Sequence, residues 1–245
     1  MKENKNPTIC CGGNYENVCP IFNAHDKLQE SFFFLLQLAD AYHFAAPFRF
    51  YLNAFLQSLR SVTMMLQTYK KVIPNFDDWY QRKQEEMRLN DLLARMCDAR
   101  TMIVHKGALK TKSTATVGVY RGRKPILALT VSVSNPFIDS SQLLVTYSKL
   151  FVGKNASLFS LDEEHSEPGE QLGIKRCWIA DNLGSEEVLS LCLSAYQQIS
   201  NIIKEAHELC GLNFVPSTID IDYFKSRYVL LESDVDPSLL KKWGW

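Results

Sequence analysis

The strongest constraint on the fold is a series of four amphipathic helical patterns that fills most of the first 110 residues. Apolar residues recur at helical spacing in four segments, at about residues 25–43, 47–72, 76–87 and 91–105. Each pattern places one apolar stripe on one face of a helix. The links between the segments are short, and short links favour antiparallel neighbours. We therefore predict an up-and-down bundle of four helices over residues 22–110.

Boundary signals support the helix assignments. Pro47 suits the first turn of the second helix, where its missing N–H has no partner to lose. Asn90 is a suitable N-cap for the fourth helix, and Gly107 is a suitable residue to end it. The fourth helix is therefore predicted to end close to His105.

The pattern changes after residue 110. β-Branched residues alternate with small or polar ones on both sides of Arg121–Lys124, which predicts a β-hairpin. Further strands are expected at 142–152 and 174–180, and a long helix capped by Ser185 is expected to end at Gly211. The predicted fold class is α+β and mainly α. Its ranges are a flexible tail (1–21), the helical bundle (22–110) and an α/β extension (111–245) that holds the hairpin and the long helix.

Charge is balanced over the whole chain but polarised along it. Lys plus Arg and Asp plus Glu both number 27. Between Arg95 and Lys124, eight basic residues stand against the single acid Asp98, whereas residues 161–190 contain eight acids against Lys175 and Arg176. Clustered cations suit a polyanion such as RNA. A solvated basic loop is the alternative interpretation, and charge counting alone slightly favours it.

Several classes of protein are disfavoured. The longest apolar stretch, residues 31–48, contains Gln37, Asp40 and His43 and does not read as a membrane span. The N-terminus lacks the apolar segment of a secretory signal, so we expect a cytoplasmic protein. There is no nucleophile elbow and no glycine-rich phosphate loop.

Cysteine usage gives one further alternative. The seven cysteines form no disulfide framework. Cys10, Cys11 and Cys19, with His25 beyond them, could in principle hold zinc, but paired Cys-x-x-Cys half-sites are absent. We expect a mobile tail there, and we predict neither a metal nor a cofactor.

Arg100 and His105 are the candidate catalytic pair. A histidine in the last turn of a helix can exchange protons, and an arginine can stabilise charge on phosphoryl oxygens. Together they could drive attack of a ribose 2′-hydroxyl on the adjacent phosphate without a metal. Five residues at about 100° each separate the side chains by about 140° around a straight helix. They can border one groove if the helix unwinds near Lys106 and Gly107, or if two subunits share the groove.

Arg-x4-His at the end of the last helix of a four-helix bundle resembles the signature of HEPN domains. The resemblance covers about residues 22–110, with Arg100 and His105 as the matched residues. It implies a metal-independent endoribonuclease of the kind found in toxin–antitoxin, CRISPR and phage-defence systems. Active members often carry Asn, Asp or His directly after the arginine, whereas this chain carries Thr101.

The resulting prediction is a homodimeric endoribonuclease with a composite active site. His105 is the general acid–base and Arg100 stabilises the phosphate. Four further residues are predicted to bind the RNA substrate: Thr101, Lys106, Lys110 and Lys112. One alternative is a catalytically inactive HEPN-like scaffold for nucleic acid or protein, and another is a regulatory partner of a neighbour-encoded protein. His43 is expected to have a structural role, and His207 to lie on the polar side of its helix.

Overall fold

The computed structural model describes residues 19–148, 150–151 and 169–236. The described helices are α1 Phe22–Asp40, α2 Ala45–Leu66, α3 Phe76–Leu89, α4 Asp91–His105, α5 Ser140–Ser148, α6 Val188–Leu209, α7 Ile221–Ser226 and α8 Glu232–Val235. The described strands are β1 Thr111–Arg121, β2 Lys124–Val133, β3 Glu170–Ala180 and β4 Val229–Leu231. Residues 67–69 form a short 3₁₀ turn after α2. None of the described helices is long and apolar enough to cross a bilayer.

The fold is α+β and mainly helical. The four described strands form one antiparallel sheet in the order β2-β1-β3-β4. The predicted hairpin is confirmed as β1 and β2, joined at Gly122 and Arg123, and the strand predicted at 174–180 is confirmed as part of β3.

The chain divides into two compact units, each made of separate stretches of sequence. Of the described residues, unit 1 comprises 19–37, 51–109 and 189–218, and unit 2 comprises 38–50, 110–148, 150–151, 169–188 and 219–236. The ranges predicted from the sequence, 22–110 and 111–245, are consecutive and therefore differ from these two units. They stay a prediction.

Unit 1 is helical, and α6 is integrated into it by polar and aromatic contacts. Nε1 of Trp79 donates to a Glu205 carboxylate oxygen at 3.2 Å, which links α3 to α6. Asn90, which precedes α4, donates from its side chain to Gln198 at 2.7 Å. The ring of Phe32 on α1 packs against Tyr196, with centroids 5.4 Å apart.

Unit 2 is built on the sheet. Its apolar core includes Val117, Val119 and Ile174 from the strands and Leu143 and Leu144 from α5. A second buried group surrounds Arg176, whose guanidinium lies 3.8 Å from the ring centroid of Trp178 and donates to the carbonyl of Ile138 at 2.7 Å.

Two local predictions in unit 2 are wrong. Residues 142–152 were expected to form a strand, but 140–148 form helix α5, because Ser140, Leu143 and Leu144 are buried together at helical spacing. Of the rest of that predicted strand, residues 149 and 152 lie outside the described residues. The long helix begins at Val188 and not directly after Ser185, and the Glu187 carboxylate instead accepts a hydrogen bond from Tyr42 at 3.0 Å.

Candidate functional site

Helix α4 in unit 1 carries the predicted catalytic pair. Its N-cap is confirmed, because the side chain of Asn90 accepts a hydrogen bond from the Leu93 N–H at 3.1 Å. The helix continues through His105, and the Lys106 N–H still donates to the Met102 carbonyl at 2.8 Å. The chain then leaves the helix at Gly107, whose φ of 112° is a conformation that favours glycine.

The side chains at the end of α4 differ in burial. Thr101 and His105 are exposed and, four residues apart, lie on the same face of the helix. The Thr101 hydroxyl donates to the Cys97 carbonyl at 2.9 Å. Arg100 is half-buried, and its Nε is shielded from solvent with no hydrogen-bond partner among the described residues.

The pair does not converge within one copy of α4. Unwinding near Lys106 would have brought the two side chains together, but the helix keeps its regular geometry through His105. The separation of about 140° around the axis therefore holds. The other route to a common groove, a second subunit, stays a prediction.

A pocket of about 400 Å³ in unit 1 is lined mostly by residues of α2, α3 and α4, and its wall is mainly apolar. Arg60 and Tyr80 are among its polar residues. The Tyr80 hydroxyl donates to the Thr63 carbonyl at 2.9 Å, and burial raises the pKa of Tyr80. Neither Arg100 nor His105 is among its lining residues.

The predicted basic substrate surface is partly neutralised in unit 2. Arg121 pairs with Glu170 at 2.7 Å, and the two residues face each other in the β1–β3 register. Lys112 pairs with Asp181 at 2.8 Å. Because β1 comes from the basic segment and β3 from the acidic one, the antiparallel pairing brings opposite charges together. Lys106, in unit 1, and Lys110 are exposed.

A second centre in unit 1, which we call the Cys-His cluster, consists of Cys19, His25 and His207. Cys19 Sγ lies 3.6 Å from Nδ1 of His25 and 3.3 Å from Nε2 of His207. One candidate ligand atom from each residue lies within 4.8 Å of the other two. All three residues are buried, with exposed fractions of 7%, 1% and 0%. Cys10 and Cys11, which the sequence grouped with Cys19, lie outside the described residues.

The surroundings favour neutral imidazoles in the Cys-His cluster. Burial, and then the neighbouring His207, lower the pKa of His25 to about 4. Burial also lowers the pKa of His207, against the opposing effect of its hydrogen bond to the Ile203 carbonyl. Both rings therefore have a lone pair available at neutral pH.

The expectation that His207 lies on a polar face is wrong. Helix α6 is buried over two adjoining rows of residues, and one row runs through Tyr196, Ile203 and His207. The position of His207 four residues after Ile203 is the sequence signal that could have placed it inside.

The end of α6 completes the cluster. The Leu212 N–H donates to the His207 carbonyl and the Gly211 N–H to the Glu208 carbonyl, both at 2.9 Å. With Gly211 at a φ of 76°, this is a Schellman motif, and the predicted terminating role of Gly211 is confirmed. The chain then returns so that the Phe214 ring stacks on His207 with centroids 4.6 Å apart.

Comparison with known proteins identifies a family. No curated protein and no solved structure matches the chain. A family model described as bacteriophage lambda protein ea47 matches residues 12–227, which include α1 to α7 and both candidate centres. Because the match covers most of the chain, the protein belongs to the bacteriophage lambda ea47 family.

Proposed function

We propose that the chain is a HEPN-like, metal-independent endoribonuclease of the toxin or phage-defence type. The candidate active site is the end of α4, with His105 as general acid–base and Arg100 as the group that stabilises phosphate charge. Two copies of the chain complete one catalytic groove.

The proposal depends mainly on the difference in solvent exposure between Arg100 and His105, which lie at the same end of α4. The Nε–H of Arg100 is shielded from water and lacks an acceptor among the described residues. Leaving a shielded guanidinium N–H without an acceptor costs free energy. An anionic oxygen that accepts its hydrogen bond removes that cost, and a phosphate supplies such an oxygen. His105 is exposed, so its imidazole is accessible to a substrate.

The proposed reaction is internal transesterification. The imidazole of His105 takes the proton of a ribose 2′-hydroxyl, and the 2′-oxygen attacks the adjacent phosphorus. The bond from phosphorus to the 5′-oxygen breaks, and the partner subunit's His105 gives that oxygen a proton. The products are a 2′,3′-cyclic phosphate and a 5′-hydroxyl. Arg100 stabilises the negative charge that gathers on the phosphoryl oxygens.

Substrate binding is assigned to exposed groups that flank the pair in sequence. Thr101 shares the face of His105, and its hydroxyl oxygen can still accept a hydrogen bond. Lys106 and Lys110 are exposed and contact the RNA backbone in this proposal. Lys112 contributes less, because Asp181 already balances its charge.

The family gives limited further support. The family's description names a protein of bacteriophage lambda. A toxin or phage-defence ribonuclease acts in the competition between phages and their hosts, which is the setting to which the HEPN resemblance also points.

Cleavage of RNA by the purified chain in the presence of EDTA tests the proposal. We expect cleavage by the wild type, and a loss of about 10²–10³-fold in Arg100→Ala. Arg95→Ala is the matched control on the same helix, since Arg95 pairs with Asp91 and is expected to retain activity. Far-UV circular dichroism in the same buffer verifies folding. An Arg100→Ala variant as active as Arg95→Ala would contradict the proposed role.

Mixing the wild type with His105→Ala tests the shared groove. Because the proposed groove takes one His105 from each subunit, a mixed dimer lacks one of its two proton carriers, and only wild-type dimers cut RNA. Random exchange of equal amounts leaves a quarter of the dimers wild type, so activity falls to about a quarter of that of the same total amount of wild type. Activity of about a half after verified subunit exchange would show that each subunit acts alone and would exclude the shared groove.

The inactive scaffold remains a second candidate for a specific reason. The pair is separated by about 140° on α4, and the Thr101 hydroxyl is already bonded to the Cys97 carbonyl. In that case the wild type retains RNA on a filter with a steep salt dependence, yet leaves it uncut.

A further inference from the structure

The Cys-His cluster has the spacing of ligands around one metal ion. Typical bonds to zinc are about 2.3 Å for sulfur and about 2.0–2.1 Å for imidazole nitrogen. In a tetrahedral arrangement these lengths place sulfur and nitrogen about 3.6 Å apart. The observed separations from Cys19 Sγ are 3.6 Å to His25 and 3.3 Å to His207.

We propose that Cys19, His25 and His207 form a structural zinc site that ties the beginning of α1 to the end of α6. The proposal does not depend on the ribonuclease activity, because the two centres share no residue. It concerns the stability of unit 1.

The hydrogen bond on the far side of His207 fixes which nitrogen faces the sulfur. Its Nδ1 lies 2.8 Å from the Ile203 carbonyl, which can only accept, so Nδ1 carries the proton. The lone pair is then on Nε2, the atom that faces Cys19. Ligand histidines in zinc sites commonly make such a bond to a carbonyl.

His25 has a comparable partner on its outer side. Its Nε2 lies 3.3 Å from the side-chain nitrogen Nε2 of Gln29. A half-turn of that amide places its oxygen there instead, where it accepts the Nε2 proton of His25. The Nδ1 lone pair then faces Cys19, as a metal ligand requires.

The ligand chemistry and burial select the kind of site. One thiolate and two imidazoles suit zinc and disfavour magnesium or calcium, which prefer oxygen ligands. The three residues are buried, and Phe214 packs against both imidazole rings. Three protein ligands leave the fourth position of a tetrahedral zinc to water or another donor. Because the three side chains are buried, a substrate has no open approach through them, and we assign the site a structural role.

The position of the ligands gives the site its effect. Cys19 and His207 are 188 residues apart in sequence. A metal that joins them closes a long loop, and its binding free energy stabilises the folded state.

Cobalt substitution in the full-length chain tests the site. Thiolate-to-cobalt charge transfer absorbs in the near ultraviolet and reports a cysteine ligand directly. In a Cys10→Ser/Cys11→Ser background, we expect this band at one cobalt per chain. Adding Cys19→Ser should abolish the band, and adding His207→Asn should weaken cobalt binding tenfold or more.

His43→Asn is the matched control, because His43 is also a buried histidine but lies in unit 2. Its band should match that of the background protein. Absence of the band in the background, or its persistence after Cys19→Ser, would overturn the proposal. The same contacts would then be a chain of S–H and N–H hydrogen bonds without a metal.

A second measurement covers the case in which a variant fails to fold. The wild-type chain is depleted of metal under reducing conditions and titrated with zinc while its thermal unfolding is followed. We expect saturable stabilisation at one zinc per chain. No rise in the melting temperature would overturn the proposal, and neither result depends on whether the protein cuts RNA.

Discussion

The two candidate centres of unit 1 place histidine in opposite surroundings. The end of α4 presents Arg100 and His105 from five neighbouring positions on one helix, and His105 is exposed. The Cys-His cluster brings together residues from two distant parts of the chain, and His25 and His207 are almost completely buried.

The difference in burial therefore makes a different chemistry available to the exposed imidazole and to the two buried ones. An exposed imidazole can exchange protons with a substrate and with water. A buried one, held neutral and fixed by a hydrogen bond on its far side, offers a lone pair in one direction. If this distinction is correct, the two centres can be disabled independently.

The largest expected effect is on cleavage by His105→Ala. General acid–base groups contribute about 10²–10⁴-fold to rate, so RNA cleavage should fall by that factor. Thermal stability should change by no more than about 0.5 kcal/mol, because the side chain is exposed. Val104→Ala, in the same turn and also exposed, is the control for both assays. Unchanged cleavage by His105→Ala would break the assignment of proton transfer to this residue.

The next effect is on stability when zinc is removed. At a free zinc concentration about 1,000 times the dissociation constant, binding contributes about 4 kcal/mol. For a chain of this size, that corresponds to a melting temperature lower by about 10 °C in the metal-free protein. Calorimetry of the two forms measures the difference. Equal melting temperatures would mean that the Cys-His cluster holds no structural metal.

A third prediction concerns the pH dependence of stability that is due to His43, a buried histidine outside the Cys-His cluster. Burial, and then the nearby Arg176, lower the pKa of His43 to about 3, and its Nδ1 lies 2.9 Å from the Ser140 hydroxyl. Between pH 6.5 and pH 5 the unfolded chain binds this proton and the folded chain does not, so stability falls as the pH falls. The loss due to His43 is about 2 kcal/mol over that interval.

Denaturant unfolding at several pH values checks this contribution. His43→Asn should reduce the pH slope of the unfolding free energy by about 1 kcal/mol per pH unit between pH 6.5 and pH 5. A variant with the same slope as the wild type would show that His43 does not titrate in this way.

The smallest expected effect is on the salt dependence of RNA binding. It compares Lys106 with Lys112, which is also exposed but pairs with Asp181. Lys106→Ala should reduce the slope of log binding constant against log salt concentration by about 0.7–0.9, since one phosphate contact is lost. Lys112→Ala should reduce it by less, because Asp181 already compensates that charge. Filter binding at several salt concentrations compares the two variants. A larger change in Lys112→Ala would reverse the assigned contributions.

Local signals in the sequence were sufficient for much of the fold. The N-cap at Asn90 and the end of α6 at Gly211 depend on neighbouring residues only. The hairpin depends on alternation and a tight turn. Helix α5 could not be assigned in the same way, because its short apolar sequence suits a strand or a helix, and packing of Leu143 and Leu144 decides between them.

The candidate sites show the same difference between features set by neighbouring residues and features set by long-range contacts. The positions of Arg100 and His105 on one helix followed from spacing, whereas any common groove depends on a second subunit. His207 was missed because the width of the buried arc of α6 is set by the helices around it. The partial neutralisation of the basic segment could not be predicted from the sequence, because it depends on the β1–β3 register, which pairs Arg121 with Glu170.

The most direct test of the central claim uses one RNA in two forms in the presence of EDTA. The first is all-ribose, and the second carries a single 2′-deoxy nucleotide at the mapped cleavage position. The proposed mechanism predicts a 2′,3′-cyclic phosphate end from the first and no cut at that position in the second. Equal cleavage of both forms would contradict attack by the 2′-hydroxyl, and an uncut ribose form would contradict ribonuclease activity at the end of α4.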